Sequence, residues 1–445
     1  MRNDATFFIK TFGCQMNVWD SENIRDLLLS HSLSEVSRPE EADMIFVNTC
    51  SVRDHAEKRA LGWIRELDAT KKRNDGLIVG AMGCFAQRLG RDILSVLPNV
   101  DFVIGTDAYE RFDAILERLK AGERQIIDTG PEKGFRSSPR PGRKRLRAFV
   151  SIMKGCENFC SYCVVPYVRG RERSRPLADI IEEAECLVEH GTKDITLLGQ
   201  NVNSYRFGEL DFAGLLNEIS RITGLLRLRF TTSHPKGLSP EILDSMSSCP
   251  TVCEHLHLPA QSGSNNILKL MNRGYTREQY MDLAERVRSR IPGISITTDL
   301  MVGFPGESES DFEETLDLVN RVGFDSSFAF KYSPRPGTAA SNLVETVSTQ
   351  EKERRLDVLL KLQKRIADEK NKGLTGKILE VLPEGRAKGA DGFLTGRTRS
   401  NKTVLFEGKD DEIGKPVMVE ILDARGLTLY GKRQGGGNGG SPTCG

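Results

Sequence analysis

Phe149-Val-Ser-Ile-Met-Lys-Gly-Cys156-Glu-Asn-Phe-Cys160-Ser-Tyr-Cys163 is the stretch that decides how the rest of the chain is read. An apolar run with the character of a strand empties into a loop whose three cysteines are spaced C-x3-C-x2-C. Three thiolates this close, with no fourth partner nearby, suit an iron–sulfur cluster in which one iron has no protein ligand. Structural zinc asks for four ligands, commonly in C-x2-4-C pairs, and no second pair follows. Inert buried cysteines are the plain alternative, and the loop setting argues against them.

Upstream, three further apolar runs each end on a cysteine. Phe7–Phe12 is followed by Gly13-Cys14, Met44–Val47 by Asn48-Thr49-Cys50, and Leu77–Met82 by Gly83-Cys84. A fourth run covers Val100–Gly105, and helical patterns fill Ser21–Ser30 and about Arg53 to Lys71. Alternation of this kind predicts an α/β unit, a doubly wound parallel sheet over residues 5–125. All C-terminal strand ends then lie on one edge, where such sheets bind ligands. Cys14, Cys50 and Cys84 can therefore meet although far apart in sequence. One cysteine at a strand end would be packing, but three in equivalent places predict a second three-cysteine cluster site.

Downstream, strand and helix patterns alternate six times, with strands near 148–154, 193–198, 226–231, 252–258, 294–301 and 326–332. The intervening helices fall near 176–190, 211–223, 239–247, 276–290, 309–322 and 349–371. Six units are too few for a closed eight-fold barrel, so residues 142–371 are expected to form an open (β/α)6 partial TIM barrel. Its strand ends carry Gln200 and Asn201, then Thr231-Thr232-Ser233-His234, then Gln261 and Ser262, then Asp299, Val302 and Gly303. With Tyr162 of the cysteine loop, we take Gln200, Asn201, Ser233, Gln261, Asp299, Val302 and Gly303 as candidate contacts for a nucleoside cofactor. His255 and His257 share a face of their strand, which suits a metal pair or the lining of the barrel mouth. Cys186, Cys249 and Cys253 read as free cysteines of the fold. Neither a G-x-G-x-x-G turn nor a Walker A motif is present.

Net charge is only +1, so any nucleic-acid surface must come from the distribution of charge. Between Arg136 and Arg147 there are six cations and no acid, and Arg169, Arg171, Arg173 and Arg175 follow the cysteine loop. A solvated linker is one reading of that run; a phosphate-backbone contact beside the active site is the one we favour. After a long charged helix, five short strands (374–382, 392–398, 402–407, 416–423, 427–432) predict a small closed β-barrel of OB-like size over 372–435. Lys372, Lys377, Arg386, Lys388, Arg397, Arg399 and Lys402 give it a basic character suited to RNA, the alternative being an interdomain packing module. The Gly-rich end, 436–445, is expected to be a disordered tail.

The chain has 445 residues, 38% hydrophobic and 28% charged, and no run approaches the ~20 apolar residues of a membrane span. The N-terminal apolar segment is too short for a signal peptide. A cytoplasmic location follows, where ten cysteines serve as metal or cluster ligands before disulfides.

From Phe7 to about Arg433 the chain resembles the radical-SAM (S-adenosylmethionine) methylthiotransferase family. The residues that carry the resemblance are Gly13-Cys14-Gln15-Met16-Asn17, Asn48-Thr49-Cys50-Ser51-Val52-Arg53, Gly83-Cys84, and the 156–163 loop continued as Val-Val-Pro-Tyr-Val-Arg-Gly170. Their wording is most similar to the MiaB branch, and the last segment to the family's TRAM domain, an RNA-binding barrel. Leu-Gly-Gln-Asn201 stands where many radical-SAM proteins have Gly-Gly-Glu. The resemblance implies two 4Fe-4S clusters, one on Cys156, Cys160 and Cys163 and an auxiliary one on Cys14, Cys50 and Cys84. It implies SAM in two roles, as methyl donor and as source of a 5′-deoxyadenosyl radical. The implied reaction inserts a methylthio group at C2 of N6-isopentenyladenosine beside the tRNA anticodon. Sibling substrates would be threonylcarbamoyl adenosine in tRNA or ribosomal protein S12; a metal-organised RNA-binding protein without catalysis is the reading from another class. Implied partners are tRNA and a small redox donor such as flavodoxin or ferredoxin, with the chain a monomer and no membrane involved. Phe159 and Tyr162 are expected to be buried against the first cluster.

Overall fold

The computed structural model describes residues 5–51, 54–130 and 144–434, with the side chains of residues 54 and 55 excluded. Val52, Arg53, the linker arginines 136, 140 and 143, and the tail with Cys444 lie outside the described residues.

Six parallel strands form the N-terminal sheet, in the order Ser34–Glu35, Thr6–Phe12, Met44–Thr49, Ile78–Met82, Phe102–Ile104, Ile126–Asp128. Helices cover both faces, so the central strands are buried throughout; every residue of Met44–Thr49 is buried. Alternate side chains feed two cores. Phe46 joins Phe7, Leu28, Phe102 and Phe112 on one face, while Ile45 and Val47 join Ile64, Val79 and Phe85 on the other. The two outermost strands were not expected, because two or three residues carry too little periodicity to read. The first helix begins at Gln15, not Ser21, with Cys14 in extended conformation as its N-cap. The sheet grows outward in both directions from Thr6–Phe12 and Met44–Thr49, the topological switch point at which doubly wound sheets place ligands.

The central region contains the six expected parallel strands, Arg147–Ser151, Asp194–Leu198, Arg227–Phe230, His255–His257, Ser295–Val302 and Ser326–Lys331. The Leu228–Val252 bridge joins the first three to the last three, giving the open barrel. Its fourth strand is shorter than expected because a tight bend, with His255 N–H donating to the Cys253 carbonyl at 2.8 Å, interrupts the ladder. Val150, Leu197, Leu228, Leu256, Ile296 and Leu300 pack outward under the helices. The residues alternating with them therefore face the interior.

The C-terminal strands Ile378–Arg386, Phe393–Thr398, Thr403–Glu407, Val417–Arg425 and Thr428–Arg433 form a closed barrel. Residues 374–377, expected as strand, instead make a turn leaving the long helix Thr349–Lys372. This barrel caps the N-terminal ends of the central strands. Arg147 pairs with Glu384 at 3.2 Å, Arg227 with Glu380 at 2.8 Å, and Arg399 with Glu254 at 2.8 Å. Arg229 donates to the Thr398 and Arg399 carbonyls while paired with Asp194. Lys402 and Lys370 both reach Asp325, at 2.9 and 2.6 Å. Two residues read as RNA-facing, Arg399 and Lys402, are thus turned inward to hold the domain, while Arg397 is spent within its own barrel on Glu384 and Asn401 and Arg386 pairs with Asp410. Lys372, Lys377 and Lys388 are exposed. Lone basic residues in a sequence give no sign of which acids they will meet.

Asp325 is the keystone of that contact. Burial pushes its carboxyl up, but the ammoniums of Lys402 and Lys370 outweigh burial and hold it below its ordinary value. A depressed carboxyl stabilises the fold above the unfolded pKa of about 3.9 and loses that contribution as pH falls through the folded value. Asp325→Ala is expected to cost about 3 kcal/mol in urea denaturation, the low end for breaking a buried pair, because the two ammoniums it leaves are only partly buried. Asp325→Asn should flatten the acid limb of stability against pH below about 4; an unchanged limb would assign it to other groups.

Candidate active site: two cysteine trios at one face

Cys14, Cys50 and Cys84 follow three adjacent strands of the N-terminal sheet, Thr6–Phe12, Met44–Thr49 and Ile78–Met82. Cys50 is wholly buried, its N–H bonded to the Phe12 carbonyl at 2.9 Å, and Cys84 is 4% exposed. Two buried amides lock the geometry. Asn17 donates to Asn48 Oδ1 at 2.9 Å, and Asn48 donates back to the Asn17 carbonyl and to Ser21 Oγ. Gly83 turns the chain into the Cys84 helix at φ +93°, where an added Cβ would lie 2.3 Å from Asn48 Oδ1 and 2.8 Å from the Thr49 carbonyl oxygen. A hydrogen bond from the Cys50 side chain is the main influence drawing the Cys14 thiol down to about 6. Burial opposes that shift and the charge of Arg169 assists it. Burial pushes Cys84 up.

Cys156, Cys160 and Cys163 lie in the loop after the first barrel strand, at the C-terminal face. Gln200, at the end of the second strand, accepts from Gly155 N–H at 2.6 Å and so fixes the loop's entry. Ser161 and Asn272 tie its middle to the 270–272 turn, and Ala340 N–H donates to the Ser161 carbonyl at 2.7 Å. Burial is the chief cause pushing Cys163 up to about 12. Tyr162 packs with Ile267, Met271 and Phe304. Phe159 departs from expectation: it sits at φ +46° and is 49% exposed, edge-on to Tyr167 at 6.4 Å, because the loop bends its side chain outward.

The two trios adjoin. Cys84 packs with Val164 and Val168 of the short helix Val165–Arg169 that follows the cysteine loop. Trp19 and Met16, just past Cys14, pack on Phe149 and Leu198 of the barrel. Arg169 closes the joint, donating to Cys84 Sγ at 3.2 Å and to Asp20 at 2.7 Å while 3% exposed. Phosphate contact for the four arginines is corrected here. Arg169, Arg173 and Arg175 are spent on Asp20, Asp107 and Glu183, and Arg171 alone of the four is exposed.

Of the other candidates, Asn201 and Ser233 stand on neighbouring strand-end loops joined by the Val202 N–H to Thr232 carbonyl bond at 3.2 Å. Asn201 Oδ1, Ser233 Oγ and His234 Nε2 are buried with no partner among the described residues. Native structures seldom leave such atoms unpaired, so this cluster fits a polar ligand such as the nucleoside and amino-acid ends of SAM. Asp299 lies 3.6 Å from His257, whose other ring nitrogen meets Thr297 Oγ1. Gln261 joins strands through its backbone at φ +68°. Val302 is buried in the core, and Gly303 N–H donates to Glu307 at 3.0 Å. His255 is not at the mouth. It faces Asn401 of the C-terminal barrel, and burial drives its pKa down to about 3.

Three profiles match the chain: the uncharacterized protein family UPF0004 at 6–105, the radical SAM superfamily at 150–319, and the TRAM domain at 372–432. The chain is 46% identical over 437 residues to the tRNA-2-methylthio-N(6)-dimethylallyladenosine synthase of Carboxydothermus hydrogenoformans, covering 96% of this chain and 99% of the relative. The chain belongs to this synthase family. The Moorella thermoacetica synthase is also 46% identical, covering 96% and 98%. Among solved structures, the radical SAM methyltransferase TsrM of Kitasatospora setae aligns at TM-score 0.57 with 14% identity, covering 76% and 74%. The cobalamin-dependent radical enzyme OxsB aligns at 0.52, 12% identical, over 82% and 56%. At those identities the likeness concerns the fold alone. It places the fold of this synthase-family chain among those of radical SAM enzymes.

The donor sets fit the synthase family's clusters. Each trio is all-thiol, and none of the nine described cysteines is in a disulfide. Among the described residues no three His, Cys, Asp or Glu side chains close on a single metal ion; thiols that each meet a different iron of one cluster need not do so. Two residues beside the trios escaped the sequence reading. Arg169 was taken for an RNA contact. Arg273, buried in the Met271-Asn-Arg-Gly turn, donates to Cys160 Sγ at 3.2 Å and lies 3.4 Å from the Tyr162 hydroxyl. A buried arginine beside a cysteine is legible only once the fold has brought the two together.

Proposed function

We propose that this chain inserts a methylthio group at C2 of N6-isopentenyladenosine next to the anticodon of tRNA, using SAM both as methyl donor and as radical source. Support comes from one observation above others: Cys84 of the sheet-edge trio packs on, and is bonded by Arg169 of, the short helix that directly follows the barrel-mouth trio. Such an arrangement puts sulfur supply and radical generation beside one substrate. An adenine C2–H bond is beyond proton-transfer catalysis, so radical chemistry from a reduced 4Fe-4S cluster and SAM supplies what side chains cannot.

The chain's own residues bind, orient and shield. Cys156, Cys160 and Cys163 hold one cluster, and Gln200 anchors their loop. Asn201, Ser233 and His234 offer their unpaired polar atoms to SAM, with Tyr162 and Asp299 on the same face. Cys14, Cys50 and Cys84 hold the auxiliary cluster, with Asn17 and Asn48 keeping their strand ends in register. We place the unit boundaries at 5–128, the strand Ile126–Asp128 carrying the first unit past the expected 125, then at 142–371 and 372–435. Among the described residues no helix is long and apolar enough to cross a membrane. We infer a monomer working in the cytoplasm, reduced by a small flavodoxin- or ferredoxin-like protein.

Anaerobically purified protein should be brown, with iron and acid-labile sulfide for two clusters. In single turnover it should methylthiolate isopentenylated tRNA and leave threonylcarbamoylated tRNA and ribosomal protein S12 unmodified. Methylthiolation of only one of the latter two would replace the substrate assignment, and a colourless zinc protein would end the enzymatic one.

A further inference from the structure

Each cysteine trio has one buried guanidinium aimed at one of its sulfurs. Arg169 is 3% exposed and 3.2 Å from Cys84 Sγ; Arg273 is 5% exposed and 3.2 Å from Cys160 Sγ. Their compensation differs. Arg169 also pairs with Asp20, itself fully buried, and its Nη1 has no hydrogen-bond partner among the described residues. The hydrogen bonds of Arg273 go to Cys160, the Tyr162 and Tyr275 hydroxyls and the Pro259 carbonyl, none of them a carboxylate. A buried cation without an anion is strongly disfavoured. At Arg273 the compensating negative charge has to come from the cysteine trio and what it holds, whereas at Arg169 Asp20 supplies part of it.

We propose that Arg169 and Arg273 are dedicated counter-charges, one per cluster, that set the two reduction potentials separately. This rests on the cluster-ligand assignment above. One-electron uptake from an external reductant makes a cluster more negative by one charge. A fixed guanidinium that donates to a ligand sulfur stabilises that reduced form and raises the potential. Asp20 offsets part of the charge at the auxiliary site, whereas Arg273 acts undiluted at the radical-generating site. The two clusters therefore differ in poise although their ligand sets match, and the difference resides in positioning residues that bind no iron.

The test is a dithionite titration followed by electron paramagnetic resonance, on full-length protein carrying one cluster at a time. Cys156→Ala/Cys160→Ala/Cys163→Ala retains the auxiliary cluster; Cys14→Ala/Cys50→Ala/Cys84→Ala retains the other. Arg169→Met should shift the auxiliary potential negative, and Arg273→Met the other, with each lysine variant falling between Met and wild type. Asp20→Asn should move the auxiliary potential the opposite way, to more positive values. That reversal is one a merely structural role does not produce. Unmoved potentials, or equal shifts in both backgrounds from one arginine, overturn the proposal. If the methionine variants bind no iron, Asp20→Asn and the lysine variants decide it, and a negative or absent Asp20→Asn shift overturns it. A triple variant that never binds iron refutes the ligand assignment, and the proposal with it.

Discussion

Cys50→Ala is expected to leave reductive SAM cleavage running while methylthiolation of tRNA falls below detection. Cys50 follows a central strand, and its bond to the sheet, from its N–H to the Phe12 carbonyl, is a backbone bond that alanine keeps. What disappears is one of the three ligands proposed for the auxiliary cluster, along with the hydrogen bond that lowers Cys14. The cysteine loop is fastened by other groups, namely Gln200, Asn272 and the Met271 carbonyl, none of which involves Cys50. The assay is production of 5′-deoxyadenosine and methionine alongside mass spectrometry of the tRNA nucleoside. Equal loss of both activities would contradict separate roles for the trios.

Gly155→Ala is expected to do the reverse, removing SAM cleavage and methylthiolation together while sparing the auxiliary iron. Gly155 opens the loop at φ +84°, and an added Cβ would fall 1.9 Å from the Arg171 carbonyl oxygen and 2.6 Å from that of Gly170. Both are backbone atoms, so relief requires the loop and the following helix to separate. Strain of this kind costs about 1–3 kcal/mol from φ alone, before the clash is counted. Cys156 N–H, bonded to the Gly170 carbonyl at 3.2 Å, moves with it. Iron per chain should drop by half, and the melting temperature should fall by about 2–4 °C for each kcal/mol of strain. Full iron and full cleavage would show that the loop tolerates the displacement.

Much of this layout was open to reading from residues alone. The runs ending at Cys50 and Cys84 are wholly buried strands of a parallel sheet, for which a continuous apolar run is a strong signal, and the run ending at Cys14 is a half-buried strand beside them. The six-fold alternation after Ala148 likewise follows from period and length. Charged residues were read less well. Arg169, Arg399 and Lys402 looked like an RNA surface, yet their partners Asp20, Glu254 and Asp325 are distant in sequence. Only the docking of whole domains decides which cations are neutralised internally. Phe159 was misplaced for a related reason: an aromatic in a loop has no period to say which way it points.

The most direct test of the account is mass spectrometry of tRNA nucleosides from cells lacking this protein. The predicted result is loss of 2-methylthio-N6-isopentenyladenosine with accumulation of unthiolated N6-isopentenyladenosine, restored by the wild-type gene and not by one encoding Cys50→Ala. An unchanged nucleoside pool, or loss of the methylthio group from threonylcarbamoyl adenosine alone, would contradict it.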